Sequence, residues 1–411
     1  MGSMIHLAVG KFEIDWGKNN VFHDHSALFQ KSDVRKVPYY YVEERSGESR
    51  VVKELKEGMA KPLSEAIDRI ELLGFTRKYC EAEFADLAEL HNIDKGRFGF
   101  KTLSDALAKV DVEKMSADYG ESVDFGRFCR HEIIPRLKLL ANEGDSDLQF
   151  SVSEAMENLS PYTVLRLLAA NSKVKKAFVT WQYQDVLQGG WADRSDFVRP
   201  LEKSHRFLIV TEGSSDARII KNAFNLLRPH IADFFDYVDM EDGYPFSGTG
   251  NLSKFVQGLV SIGIENNVIV IFDNDAEGIL NFNRCQEMNI PANMRVLRLP
   301  DSKHLKKFNT VGPEGAHNAD INGLAASIEC YLDLDEKAVI RWTSYNNALK
   351  KYQGALEGKE RYANAFIKQK AKNGLYDYTK ISAIIDMIVS NGVEIKEGEA
   401  MLRFNKAKTL P

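Results

Sequence analysis

The chain has 411 residues, of which 44% are hydrophobic and 27% charged, with a formal net charge of −5 at neutral pH. A chain of that length implies two or three domains with sizeable cores, and its composition excludes intrinsic disorder. No apolar run is long enough to span a bilayer, and the acidic balance lacks the basic-domain signature of many nucleic-acid binders.

The start is mixed rather than basic and then apolar, so no signal peptide is expected. Met1-Gly2-Ser3 ahead of Met4 reads as an expression scar. It lacks the hydroxyl residue at the sixth position that a myristoylation signal requires. The cysteines, Cys80, Cys129, Cys285 and Cys330, are far apart and form no CxxC pair. That argues against a zinc ribbon and a disulfide framework, and a reducing, cytoplasmic compartment is the expectation.

Residues 4–55 read as β-rich. Ile5–Val9 and Phe12–Trp16 alternate around Gly10-Lys11, a hairpin signal. Val37–Val42 is predicted to be a strand, with Pro38 marking an edge, and Ser46-Gly47 a turn. Tyr39, Tyr40 and Tyr41 on that strand suit base stacking, or simple packing of a half-buried strand. His23-Asp24-His25 has metal-ligand residue types but no evident third ligand, so capping or surface placement is the plainer reading.

Residues 56–200 read as a helical block. Leu63, Ile67, Ile70, Leu72 and Leu73 recur at helical spacing, as do Phe84, Leu87 and Leu90. Ile133, Ile134, Leu137, Leu139 and Leu140 form another stripe. Ser160-Pro161 is a good pair for the start of a helix, and Gly189-Gly190 marks a boundary.

After residue 200 the period changes. Arg206–Val210, Val268–Phe272 and Arg295–Leu299 are short apolar runs separated by helical stretches, the first over Asp216–Leu227. Strands alternating with helices predict a parallel, doubly wound sheet. Apolar runs without alternation predict strands covered on both faces. The predicted class is therefore α/β with a Rossmann-like, mostly parallel sheet, preceded by the β-rich and helical N-terminal region. Two glycine-punctuated stretches, Thr310–Gly315 and Asp320–Gly323, are expected as loops, either shaping a substrate groove or merely connecting. From Ile321 the chain is expected to be helical, with residues 336–411 a helical C-terminal extension.

Ligands of open α/β sheets bind at the carboxyl ends of the strands. The first run is followed by Thr211-Glu212-Gly213-Ser214-Ser215-Asp216, the second by Asp273-Asn274-Asp275-Ala276-Glu277-Gly278. Gly213 is expected to permit a sharp turn. If the two strands are neighbours, Glu212, Asp273 and Asp275 converge. Such carboxylates repel unless a cation sits between them, and hard oxygen donors select Mg2+ or Mn2+. Ions of that kind polarise a phosphoryl oxygen and generate a hydroxide. Asp216 is either a further ligand or a helix-start carboxylate favoured by the dipole. Glu277 is a supporting group or simply exposed. Phosphate contacts would fall to local basic groups such as Lys303, Lys306, Lys307 and the stretch from Lys350-Lys351 to Lys372, each otherwise a solvated face.

The order strand, Glu-Gly-x-x-Asp, helix, then strand, Asp-x-Asp-x-x-Gly over residues 203–335 resembles the Toprim domain of topoisomerases, bacterial primases and OLD-family nucleases. The resemblance implies a metal-dependent phosphodiesterase whose catalytic residues are Glu212, Asp273 and Asp275, with nucleic acid, DNA or RNA, as substrate. OLD nucleases carry a later acidic residue in a helical Ile-Glu-x-Tyr-Leu context. The matching stretch Ile328-Glu329-Cys330-Tyr331-Leu332 makes Glu329 a further metal ligand, unless it is a solvent-facing glutamate. A downstream lysine of that family matches Lys359 best, a catalytic cation or a surface lysine.

The opening Val9-Gly10-Lys11-Phe12-Glu13-Ile14-Asp15-Trp16-Gly17-Lys18-Asn19 resembles the HEPN/Toprim-associated N-terminal domain, which precedes Toprim modules in bacterial proteins linked to antiphage defence. HEPN ribonucleases use an Arg followed by four to six residues and a His. Arg127 and His131 are closer than that, so the helical block is expected to bind, oligomerise or regulate.

The sequence holds no Walker A motif, unlike OLD nucleases, which leaves room for a regulatory partner protein as well as a homo-oligomer. Asp-x-Asp also marks haloacid-dehalogenase-like phosphatases, but there it sits on the first strand and a small hydroxylated residue follows. A topoisomerase would need further domains. The rival from another class is a catalytically silent Toprim module that senses or docks with a partner.

Overall fold

The computed structural model describes residues 2–45, 48–115, 133–134, 146–238, 249–347 and 350–409. They fall into two compact units, Met1–Glu202 with Ala400–Pro411, and Lys203–Glu399. The expected Ser46-Gly47 turn, Leu137, Leu139 and Leu140 of the helical stripe, Arg127, Cys129 and His131 lie outside the described residues.

The first unit is built on a five-stranded antiparallel sheet, β2-β1-β5-β4-β3. Its strands are β1 Met4–Val9, β2 Phe12–Lys18, β3 Val34–Arg45, β4 Glu48–Pro62 and β5 Phe178–Gln182. Gly10 takes the left-handed conformation, φ 61°, that the β1–β2 turn needs. β3 is an edge strand, which accommodates Pro38.

The region from residue 56 is not uniformly helical. β4 runs on to Pro62, and β5 inserts between β1 and β4. Helices Leu63–Leu72 and Pro161–Leu168 pack on this sheet, Arg77–Leu90 packs against neighbouring helices, and Ser160 caps Pro161–Leu168 by accepting from Tyr162 N. One hydrophobic core takes Ile5, Leu7 and Phe12 from the strands and Leu63, Phe84 and Leu165 from the helices. Strands and helices of this region are thus one folding unit, because neither layer can bury its apolar face without the other. Tyr39 and Tyr41 serve packing: Tyr39 is 2% exposed and donates to Glu57 O at 2.6 Å, while Tyr41 donates to Asp185 at 2.7 Å.

The second unit carries a four-stranded, fully parallel sheet in the order β10-β8-β6-β7. The strands are β6 Phe207–Thr211, β7 Phe235–Tyr237, β8 Asn267–Phe272 and β10 Met294–Arg298. Helices Ser214–Leu227 and Ala276–Gln286 follow β6 and β8 directly. Every residue of β8 is buried, as an uninterrupted apolar run requires. The molecule is α/β, with this parallel sheet at the heart of its second unit.

The expectation of helix from Ile321 onward is corrected. Ala325–Ala326 forms β13, paired antiparallel with β9 Asn274–Asp275. Ile328–Tyr331 is a 3-10 turn. β14 Ile340–Asn346 and β15 Lys351–Leu356 make a hairpin that joins β11 Phe308–Gly312 and β12 Gly315–Ala319 in a sheet ordered β12-β11-β14-β15. The glycine-punctuated stretch at 310–315 is therefore a hairpin rather than a loop, with Gly315 at φ 92°. Aromatic and β-branched residues in Ile340-Arg-Trp-Thr-Ser-Tyr-Asn346 favour a pleated surface over a helix. Among the described residues beyond 336, only Lys359–Ile367 and the long helix Thr379–Thr409 are helical. No described helix is long and apolar enough to cross a membrane.

Candidate metal centre

β6 and β8 are direct neighbours, with Thr211 paired to Ile271, so Glu212 and Asp273 leave the sheet at the same end. Glu212 Oε1 accepts a hydrogen bond from Asp273 N at 3.1 Å, which ties the two strand tips together. Asp216 reaches back from the first turn of its helix, accepting from Gly213 N at 3.1 Å. The sharp turn expected of Gly213 is absent, since φ −139° and ψ 159° are ordinary extended values. A Cβ there would sit 3.6 Å from the Asp216 carboxylate, a normal contact.

Asp275 is the N-cap of Ala276–Gln286 and accepts from Gly278 N at 2.7 Å. Gly278 is required for another reason. A side chain there would overlap the Asp273 carbonyl oxygen and lie 3.0 Å from its carbon. The spacing Asp-x-Asp-x-x-Gly thus closes on itself: the glycine lets the helix start press against the strand that carries the first aspartate.

Glu329 is 2% exposed, so it is not a solvent-facing glutamate. It accepts from Ser327 Oγ at 2.7 Å, while the neighbouring Ile328 N donates to Asp273 Oδ1 at 3.1 Å. Lys359 is exposed and begins the helix Lys359–Ile367. Glu277 is exposed.

The electrostatics show how closely the acids crowd. Burial, then the charges of Asp216, Glu212, Asp275 and Glu329, push the Asp273 carboxyl well above the usual range. Burial and Glu329 push Asp216 up to about 7, against the opposing pull of the Gly213 amide and Lys359. Burial also raises Asp275, partly offset by the Gly278 amide and by Lys359. Glu212, Asp216, Asp273, Asp275 and Glu329 therefore share one field, and the charge of Lys359 acts against it at Asp216 and Asp275. A cluster of this kind is held apart from collapse by charge repulsion and is relieved by protons or by a cation.

The donor set is all oxygen, which suits a hard divalent cation. As the side chains stand, no three His, Cys, Asp or Glu groups among the described residues are disposed to hold a metal ion. The acids instead accept backbone amide or hydroxyl hydrogens, one oxygen each in the contacts above, and a carboxylate has two oxygens and about four lone pairs.

Sequence reasoning passed over Asn274, the residue between the two aspartates. It is fully buried; its Nδ2 donates to Asp301 at 3.0 Å and to Tyr331 at 3.3 Å. Its Oδ1 accepts from Gly323 N at 3.0 Å and from Arg298. This knot fastens the strand tip to β10's exit and to the Glu329 turn, since Tyr331 also donates to Pro300 O at 2.6 Å. Only a polar residue flanked by two carboxylates signalled it.

In the first unit, His23 and His25 both bond Asp15 Oδ2, at 3.0 and 2.8 Å. Asp24 accepts from Ser26 N at 2.9 Å and pairs with Arg199. The His-Asp-His run is thus tied into hydrogen bonds and a local turn, with Asp15 the partner that sequence reading did not supply.

Residues 1–205 match the family model described as HEPN/Toprim N-terminal domain 1. The N-terminal half is therefore a HEPN/Toprim-associated domain, and the match ends just before the parallel sheet begins. Comparison with curated proteins gives no match, and comparison with solved structures gives none.

Proposed function

We propose that this chain is a metal-dependent nuclease whose second unit is a Toprim domain hydrolysing phosphodiester bonds in DNA or RNA, tRNA included. The observation that carries the reading is the meeting of Glu212 with Asp273 at the ends of neighbouring parallel strands, surrounded by Asp216, Asp275 and Glu329. An N-terminal domain of the HEPN/Toprim class supports it, as does the strand–acid–helix order of the motif.

Asp216, Asp273, Asp275 and Glu329 would hold Mg2+ or Mn2+, which supplies Lewis acidity at the phosphoryl group and an acidified water. Glu212 either completes that ligand set or takes the proton of the attacking water as general base. Lys359, whose charge lowers Asp216 and Asp275, offsets negative charge on the phosphate as the phosphorus–oxygen bond breaks, and the leaving oxygen takes its proton from solvent water. Gly278 and the Asn274 knot hold Asp273 and Asp275 in place. In the cell the enzyme would act in the bacterial cytoplasm as an antiphage effector, as a homo-oligomer or under a partner protein.

A second reading, a silent sensor module, draws on one observation: the carboxylates are bonded to amides and a hydroxyl rather than gathered on one point. Incubating the full chain and its Glu212→Gln variant with plasmid DNA and total tRNA, in Mg2+, Mn2+ or EDTA, separates the two. Cleavage that needs both metal and Glu212 is the expected result. Metal-dependent cleavage that survives Glu212→Gln and Asp273→Asn would show the site assignment to be wrong.

A further inference from the structure

The sheet β12-β11-β14-β15 lines an open pocket of about 400 Å³. Leu324 forms part of its wall and also bridges to Asp275, with Ala276 N donating to Leu324 O at 3.4 Å. Leu324 therefore links the pocket wall to the strand tip that carries Asp275.

Its walls have an unusual chemistry for a surface hollow. Trp342 is clamped: a Cβ on Gly312 would lie 2.9 Å from its indole, and one on Gly354, its cross-strand partner, 3.0 Å away. Two glycines thus leave a slot that the indole fills. Tyr352 is 54% exposed and meets its cross-strand neighbour Tyr345 edge-on, ring centroids 5.2 Å apart. Lys351 and His317 stand at the same opening, with Glu314 on the turn between β11 and β12. Among the described residues, the side chains of Trp342, Lys351, Tyr352 and His317 make no hydrogen bond or ion pair.

We infer that this pocket takes one unstacked base of a single-stranded nucleic acid and seats the adjoining phosphate toward the carboxylate cluster. The inference rests on the nuclease reading and names its substrate class. A flat aromatic wall offers stacking to any base. Lys351 supplies a positive charge for the phosphate backbone, and Glu314 is an acceptor for amino groups on a base edge. The volume lies within the range of small-ligand pockets. A duplex, whose bases are stacked on each other, has no free face to offer it.

The test is binding of fluorescein-labelled single-stranded DNA, single-stranded RNA and duplex DNA to the full chain, by anisotropy in Ca2+ buffer. Base–aromatic stacking predicts that Trp342→Ala weakens single-strand binding by roughly fivefold to 100-fold. Duplex binding stays unchanged, and Trp342→Phe restores most of the single-strand affinity. Thermal melts of each variant separate lost binding from lost folding, and Tyr352→Ala, at an exposed position, gives a second route to the same loss. The inference is overturned by wild-type chain that binds no single strand, by equal losses on duplex and single strand, or by folded variants that bind as wild type. The two readings fail separately. Trp342-independent binding with Glu212-dependent cleavage removes the pocket and keeps the nuclease. Trp342-dependent binding without cleavage in any metal does the reverse.

Discussion

Neutralising Asp273 should make the metal-free protein more stable, and more so as the pH rises. Burial and four neighbouring carboxylates raise its carboxyl well above 3.8, so the folded chain binds a proton there more tightly than the unfolded chain does. Stability then falls with pH from the unfolded value up to the folded one. Asp273→Asn removes that cost while keeping an acceptor for Ile328 N–H. The neighbouring Asp216, lifted from 3.8 to about 7, sets the scale: a lone group so displaced is worth about 4 kcal/mol at most. Spread over the cluster, one neutralisation should return about 1–3 kcal/mol, raising Tm by roughly 2–12 °C in this size range. Melting curves in EDTA at about pH 4.5 and about pH 8 measure it, with the gain small at the lower value and largest at the higher. A variant less stable than wild type at both pH values would refute the idea that these acids repel one another.

Three further outcomes follow from the same geometry. Gly278→Ala gains about 1 kcal/mol of helix propensity but drives a methyl into the Asp273 backbone, an overpacking cost of about 1–3 kcal/mol, so urea unfolding should show net destabilisation and impaired activity. Asn274→Ala strands partners on Asp301, Tyr331 and Gly323 and should cost at least about 2 kcal/mol in the same assay, with unchanged stability counting against the knot. Lys359→Met removes the cation that lowers Asp216 and Asp275, so the pH-dependent loss of metal-free stability should extend to higher pH, and an unshifted profile would place Lys359 outside the site.

Three strands of the parallel sheet were legible because β6, β8 and β10 are apolar runs with helical stretches between them, whereas β7 is only three residues long. Adjacency of β6 and β8 was not written in the sequence, yet the carboxylates at both tips made sense only if it held. β5 escaped because five residues, Phe178–Gln182, sit inside a long helical stretch and pair with strands more than a hundred residues away. β12, Gly-Ala-His-Asn-Ala, has no strand propensity of its own and is recruited by β11 through a tight hairpin. Glu329 was found by resemblance, but its burial was not foreseeable, because the turn that carries it is fixed by contacts to Asp273 and Pro300 rather than by local pattern.

The central claim, that these acids form a divalent-cation site, is tested most directly by titrating Mn2+ into the metal-free full chain. Calorimetry or the loss of the free-ion paramagnetic signal reads binding without relying on cleavage. The account predicts saturable binding that weakens at least about tenfold in Asp273→Asn and Asp275→Asn, as expected when a charged ligand is lost from a hard-cation site. Binding equally tight in wild type and both variants, or absent from all three, would contradict it.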